Sequence, residues 1–317
     1  MVYSCLFTGS SEGEIRTMND EKKGMLAATA AYGIFGLSYL FSKLALNITQ
    51  PLILLAARFT VTFIILNVLV ATRVLKLHLR GKSLLGPVCV GLIQPVLYFI
   101  LENYGIQYTT TTFAGILSSV SPIFTAILGA IMLRERPNVR QWLCIVLSIL
   151  GVMMVSLGST GGANTVPGML CLLAAYLSGA FYAILIRRLS SRFSAFELTY
   201  VMFTVAFVFF PLLAVFQYRG QAPALFADAF AHPDFIIAVL YLGGCASVGA
   251  YMLSNYALAR LPVARASIFT TFSTIVSVLS GVIIMKDPFT WVSLAAFVLI
   301  LAGVWGVNHF AASSPER

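Results

Sequence analysis

The sequence predicts an all-α, polytopic membrane protein in which ten transmembrane helices form two inverted five-helix repeats. Three observations carry this expectation. The composition is 59% hydrophobic and only 10% charged over 317 residues, apolar segments recur at bilayer-crossing length, and the two halves of the chain match each other. Such a composition lies outside the balance of soluble domains, so lipid is the solvent for most side chains. Backbone groups in lipid must pair internally, which excludes open sheets, and segments of roughly 20 residues are too long for barrel strands.

The first 23 residues, MVYSCLFTGSSEGEIRTMNDEKK, are polar and mixed in charge, without a long apolar core or cleavage site. They are expected to form a cytoplasmic tail rather than a signal peptide. Met18 opens a compact lead-in, MNDEKKG, so residues 1–17 read as an upstream extension from an alternative start at Met1. Candidate helices over 24–44, 51–72, 83–104, 111–133 and 141–158 make a first repeat spanning 24–158. Those over 167–186, 194–217, 235–257, 266–284 and 288–308 make a second, spanning 167–308, before a cytoplasmic tail at 309–317. The cysteines Cys5, Cys89, Cys144, Cys171 and Cys245 are odd in number and lack C-x-x-C spacing. They are expected to be helix-packing thiols.

Orientation follows from Lys and Arg, which short cytoplasmic loops retain. With the N-terminus inside, the cytoplasmic face receives Arg16, Lys22, Lys23, the Arg73–Lys82 cluster, Arg134, Arg136, Arg140, Arg187, Arg188, Arg192, Arg260, Arg265 and Arg317. Only Lys43, Arg219 and Lys286 fall on the opposite face, and Arg58 falls within the membrane. The net charge of +9 is therefore a topology signal spread over loops. It is not a basic face for nucleic acid.

The repeat is visible in one ungapped register. Asn103-Tyr104 meets Asn255-Tyr256, Ala114 meets Ala266, Ile116 meets Ile268, Ser121 meets Ser273, Gly129 meets Gly281, and Gly151-Val152 meets Gly303-Val304. The starts of the halves match as well, Gly24-Met25-Leu26 with Gly168-Met169-Leu170 and Ala30-Ala31-Tyr32 with Ala174-Ala175-Tyr176. Five helices is an odd number, so the second copy enters the membrane from the other face, and a pseudo-twofold in the membrane plane surrounds a midplane site.

The Tyr32–Ser42 segment, the AARFTVTF run containing Arg58, SSVSPIFTAILGAIMLRERP over Ser118–Pro137, and the second-half echo ending IIMKDP resemble the EamA repeats of the drug/metabolite transporter superfamily. The resemblance covers residues 24–308 and departs from the family's L-G-E at Leu133-Arg134-Glu135 and at Met285-Lys286-Asp287. It implies a ten-helix carrier whose central cavity is lined mainly by helices 1, 3, 4, 6, 8 and 9.

Candidate binding residues follow from polar chemistry inside apolar helices. Arg58 costs about 2.5–3.5 kcal/mol on insertion scales unless it reaches water or a partner, so it should face a cavity. There its guanidinium would hold an anionic substrate group, or serve structure by holding backbone carbonyls or by pairing with Glu102. Gln94, Tyr98 and Glu102 are spaced to share one face of a continuous helix 3. A poorly hydrated Glu102 would bind a cationic group, exchange a proton, or cap the bundle near the outer surface. Ser118, Ser119, Ser121 and Thr125 in helix 4 match Thr270, Thr271, Ser273 and Ser277 in helix 9, as close-packing hydroxyls or as cavity lining. Pro122 is expected to break helix 4, with no counterpart at Thr274. Tyr32, Tyr39, Tyr98, Tyr176, Tyr182, Tyr241 and Tyr251 offer rings with a hydroxyl in the helices assigned to the cavity, and Asn255 joins the candidate set. Asp287 is expected to cap the helix opened by Pro288.

His78, His232 and His309 lie in loops or at the terminus, and G-x-S-x-G, H-E-x-x-H and P-loop patterns are missing from the sequence. Neither enzyme chemistry, a metal, a cofactor nor nucleotide-powered transport is expected. The chain reads as a carrier of a small polar organic metabolite, amino-acid-like or related, in either direction, with export included. The alternative is a non-transporting or channel-like membrane scaffold. The partners expected are a small-molecule substrate and the lipid bilayer, with a proton or other coupling ion left open. The location expected is a bacterial inner membrane.

Overall fold

The structure is a computed structural model and describes residues 8–133, 139–158, 164–261 and 269–312. Arg134, Glu135, Arg136, Arg265, Ala266, Ile268, Cys5 and Arg317 lie outside the described residues, as does the side chain of Arg16. Among the described residues the secondary structure is helical, without strands. α1 runs over Thr8–Leu46, α2 over Pro51–Ala71, α3 over Leu85–Gly91 and α4 over Tyr98–Gln107, the last two joined by a π-helical segment at Leu92–Leu97. Then come α5 (Thr111–Ser118), α6 (Ser121–Leu133), α7 (Val139–Gly158), α8 (Val166–Leu189) and α9 (Ala195–Tyr218). The chain ends with α10 (Ala222–Ala231), α11 (Pro233–Leu240), a second π-helical segment at Tyr241–Ala250, α12 (Tyr251–Arg260), α13 (Thr270–Ile283) and α14 (Trp291–Ala312).

Seven of these helical stretches are long and apolar enough to cross a membrane, and three apolar helices, within α7, α13 and α14, are shorter. The chain is a multi-pass membrane protein. Starts are set by local chemistry. Pro51 occupies the first turn of α2, where its missing N–H loses nothing. Ser194 and Glu197 form a reciprocal capping box on α9, and Thr165 caps α8.

Helix pairing follows a regular scheme: α1 packs on α12 and α13, α8 packs on α4 and on α5 and α6, and α2–α9, α5–α13 and α7–α14 pair across the bundle. One end gathers Lys43, the α4–α5 turn, Thr165 and Asp287. The opposite end carries the Lys82–Glu197 ion pair at 2.7 Å and the Arg187 bond to Leu258 O.

α7 and α14 pack chiefly on each other. A Cβ at Gly151 would stand 2.6 Å from Ile300 Cγ1 and 2.9 Å from Ala296 O, so only glycine permits this approach. Gly151→Leu is expected to separate the pair and destabilise the protein by about 1–3 kcal/mol through overpacking. The thermal unfolding midpoint of detergent-solubilised protein reads this, and an unchanged midpoint would show that the crossing tolerates the added volume. The thiols divide. Cys144 lies against Gly306 as expected of a packing residue, whereas Cys89 and Cys245 are exposed on the bundle surface, which corrects the packing expectation for those two.

Candidate functional site

The pairing scheme leaves a central cavity of about 130 Å³. From α1 come Tyr32, Phe35, Ser38 and Tyr39, on one helical face; α2 contributes Arg58. The π-broken third helix supplies Gln94, Tyr98, Phe99 and Glu102, and Ser118, Ser121 and Thr125 come from α5 and α6. Tyr176, Gly179 and Tyr182 of α8 face Tyr251 and Ser254 of α12 and Thr270 and Ser273 of α13.

Arg58 is 2% exposed. Its Nε donates to Ser247 Oγ at 3.0 Å, and the guanidinium carbon lies 4.1 Å from the Phe99 ring centroid and 5.4 Å from that of Phe59. A desolvated cation–π contact of this kind is worth about 2 kcal/mol, so ring and hydroxyl together offset the cost of placing the cation in an apolar bundle. Gly243 lets the second π segment approach: a Cβ there would stand 3.0 Å from Arg58 O, and Thr62 bridges Arg58 O at 2.9 Å and Gly243 O at 3.1 Å. Arg58 and Glu102 interact electrostatically, yet they form no direct ion pair, since the pair found among the described residues is Lys82–Glu197. The expected structural pairing of Arg58 with Glu102 is therefore corrected to Ser247 and Phe99.

The third helix is not continuous. Pro95 supplies no N–H, Gln94 sits at φ −144°, ψ 116°, and the chain passes through a π turn, so the expected ladder is split. Its C-terminal part survives: Tyr98 OH donates to Glu102 Oε1 at 2.7 Å. Ser178 Oγ donates to Ile93 O beside the break at 3.0 Å, and Gln94 Nε2 donates to Tyr251 OH. The equivalent stretch of the second half, Tyr241–Ala250, is also π-helical. Pro95 was the sequence signal for this break, and a proline inside an apolar run marks such sites in general.

The hydroxyl stripes serve both expected roles. Ser118 Oγ meets Thr274 Oγ1 at 3.1 Å, Ser277 Oγ donates to Thr111 O at 3.3 Å, and a Cβ at Gly115 would come within 2.7 Å of Ser277 Cβ. Helix 4 breaks at Ser119–Val120, immediately before Pro122, while α13 runs unbroken through Thr274.

Five candidate residues, Ser119, Asn255, Thr271, Ser277 and Tyr241, do not line the cavity; Ser277 is taken by Thr111 O and the Tyr241 hydroxyl donates to Ile34 O at 2.9 Å. Ser119 is buried and bonds back to Ile116 O. Asn255, fully buried, accepts from Tyr182 OH and donates to Thr199 Oγ1 at 2.8 Å, so its amide ties α8, α9 and α12 together. Thr271 lies beside Thr270 but is not part of the cavity wall. Asp287 is also corrected: its Oδ2 accepts from Thr112 N at 2.8 Å, capping α5 rather than its own next helix. That helix begins at Trp291, with the Thr290 hydroxyl accepting from Ser293 N. Sequence reading missed Phe35, Ser38, Phe99, Gly179 and Ser254, which carry no charge or repeat signal. Among the described residues no cluster of three or more His, Cys, Asp or Glu side chains occurs.

The sequence profile described as the EamA-like transporter family matches residues 22–157 and again 166–309. An uncharacterized transporter of Bacillus subtilis (strain 168), YcxC, is 35% identical over 287 residues, covering 89% of this chain and 92% of its own. A protein of Escherichia coli (strain K12) named a probable amino-acid metabolite efflux pump is 24% identical over 295 residues, covering 91% of this chain and 95% of its own. A solved crystal structure, 18% identical, superposes with a TM-score of 0.66 over 92% of this chain and 98% of that one, a likeness of fold alone.

Proposed function

We propose, from the premise that this chain belongs to the EamA-like transporter family, that it is a secondary carrier of a small amino-acid-like metabolite, working by alternating access. The observation that supports this reading is the coexistence of Arg58 and Glu102 in one buried cavity without an ion pair between them. A guanidinium and a carboxyl that share the cavity without pairing with each other suit a molecule with both charges, Arg58 taking a carboxylate and Glu102 favouring an ammonium. The tyrosine and phenylalanine rings around them suit an apolar side chain. The printed name of the Escherichia coli relative agrees with such a substrate.

The architecture within this proposal is ten spans in two inverted repeats, 24–158 and 167–308, with both termini cytoplasmic in a bacterial inner membrane. Its support is the double match of the family profile, the twofold pairing scheme of the helices and the π turns at equivalent places in helices 3 and 8. The remaining predicted residues Tyr32, Tyr39, Gln94, Tyr98, Ser118, Tyr176, Tyr182, Tyr251 and Thr270 belong to the wall of the proposed site.

Counterflow in proteoliposomes tests the reading. Unlabelled neutral amino acid preloaded inside should drive transient, saturable accumulation of the labelled compound. Flux that neither saturates nor shows counterflow would assign the chain to the channel-like class instead.

A further inference from the structure

One buried polar atom in the cavity wall is left over by the contacts described so far. Gln94 is 6% exposed; its Nε2 is taken by Tyr251, while its Oε1 has no hydrogen-bond partner. In a protein interior an acceptor of this kind is destabilising, and native structures seldom keep one without a purpose. The backbone around it is equally unusual, with non-helical dihedrals at Gln94 that turn it out of the helical register. Opposite stands Gly179 of α8, where a Cβ would lie 3.7 Å from Gln94 Oε1 and 3.4 Å from the Tyr98 ring. The missing side chain leaves a slot against the oxygen, and both residues line the cavity.

We propose that Gln94 is a specificity-determining residue whose Oε1 accepts an N–H of the substrate's ammonium, so that the carrier selects amine-bearing molecules over their deaminated counterparts. This rests on the amino-acid-like reading above, in which Glu102 attracts the ammonium by charge, and adds to it a neutral acceptor whose bond to the amine is directional. Arg58 holds the carboxylate whether or not an amine is present, and so does not discriminate between the two. The Gln94 carbonyl does discriminate, because a ligand without the donor leaves the oxygen unsatisfied inside a dry wall. Sites that read a hydrogen-bonding group this way reject analogues lacking it far more strongly than apolar pockets reject a missing methylene.

The test uses the full chain in detergent with two matched pairs, L-leucine with 4-methylpentanoate and L-phenylalanine with 3-phenylpropanoate, measuring affinity by ligand-induced thermal stabilisation. Wild type is expected to bind each amino acid more tightly than its acid partner. Gln94→Met, of similar length, is expected to weaken amino-acid binding by roughly tenfold or more, as for a lost bond to a charged group, with acid binding unchanged. Gly179→Ala fills the slot at ordinary contact distance and so should fold normally, and it is expected to reduce the same preference. A Gln94→Met protein that retains the wild-type preference, or loses amino acid and acid equally, overturns the assignment of Gln94 alone and leaves the carrier reading standing. Wild type that binds no member of either pair overturns both.

Discussion

Arg58→Lys is expected to weaken substrate binding roughly 10- to 100-fold, the range for losing a hydrogen bond to a charged group, while the yield of folded protein stays within about twofold of wild type. Lysine keeps the charge but not the planar fork, and it can neither hold Ser247 through Nε while presenting its remaining donors to a carboxylate nor stack flat on Phe99. The loss should therefore fall on recognition. Saturation binding and size-exclusion yield, measured on the same preparations, separate the possibilities. Parallel loss of yield and binding would reassign Arg58 to folding, with Ser247 and Phe99 as its structural partners.

The second large effect is expected at the end of the bundle that holds Lys43 and Asp287. Lys43 Nζ donates to Ile106 O at 2.9 Å and Thr109 O at 2.5 Å, Asp287 caps Thr112 N, and α5 crosses α13 through Ser118–Thr274 and Thr111–Ser277. The Asp287, Ser118 and Thr111 contacts join the two halves of the chain, while Lys43 ties α1 to the α4–α5 turn within the first half. Under the proposed alternating access, these contacts between the halves are expected to part in each cycle. In a background whose native cysteines are replaced, Ser118→Cys with Thr274→Cys puts two thiols where the hydroxyl oxygens stand 3.1 Å apart. Oxidation, or bridging by Hg²⁺, is expected to reduce counterflow to background, with recovery on reduction. Cross-linked protein that still exchanges substrate at the rate of its reduced form would show that the crossing never opens.

Arg58 and Glu102 were legible in the sequence because a charge within an apolar run has few stable places to go, and a polar cavity is the main one. Asn255 looked equivalent by the same polarity, yet it is consumed by Tyr182 and Thr199. A carboxamide on a helix either faces a cavity or ties neighbours, and only the packing chooses. Ser119 and Ser118 make the same point as adjacent residues: both hydroxyls bond back to their own helix, yet only Ser118 also meets Thr274 and lies on the cavity wall. Asp287 misled through its neighbour: Asp-Pro is a sound local start signal, but the α5 terminus supplied an N–H that competed successfully for the carboxylate. Gln94, Tyr98 and Glu102 failed as one ladder because their spacing argument presumed a continuous helix, which Pro95 denies.

By itself the sequence determined the solvent and therefore the class. Long apolar segments in lipid must satisfy their backbone internally, so helices and a multi-pass membrane protein follow from composition and segment length, and the family follows from motifs over nearly the whole chain. Only the tertiary structure decided which hydroxyls and amides reach the cavity, that Arg58 rests on Phe99 and Ser247 rather than Glu102, and that Gln94 Oε1 is left unpartnered beside Gly179. Backbone pairing in a helix is local and can be read residue by residue. The partner of a buried side chain comes from another helix far away in sequence, and it is set by which faces pack closely enough to meet.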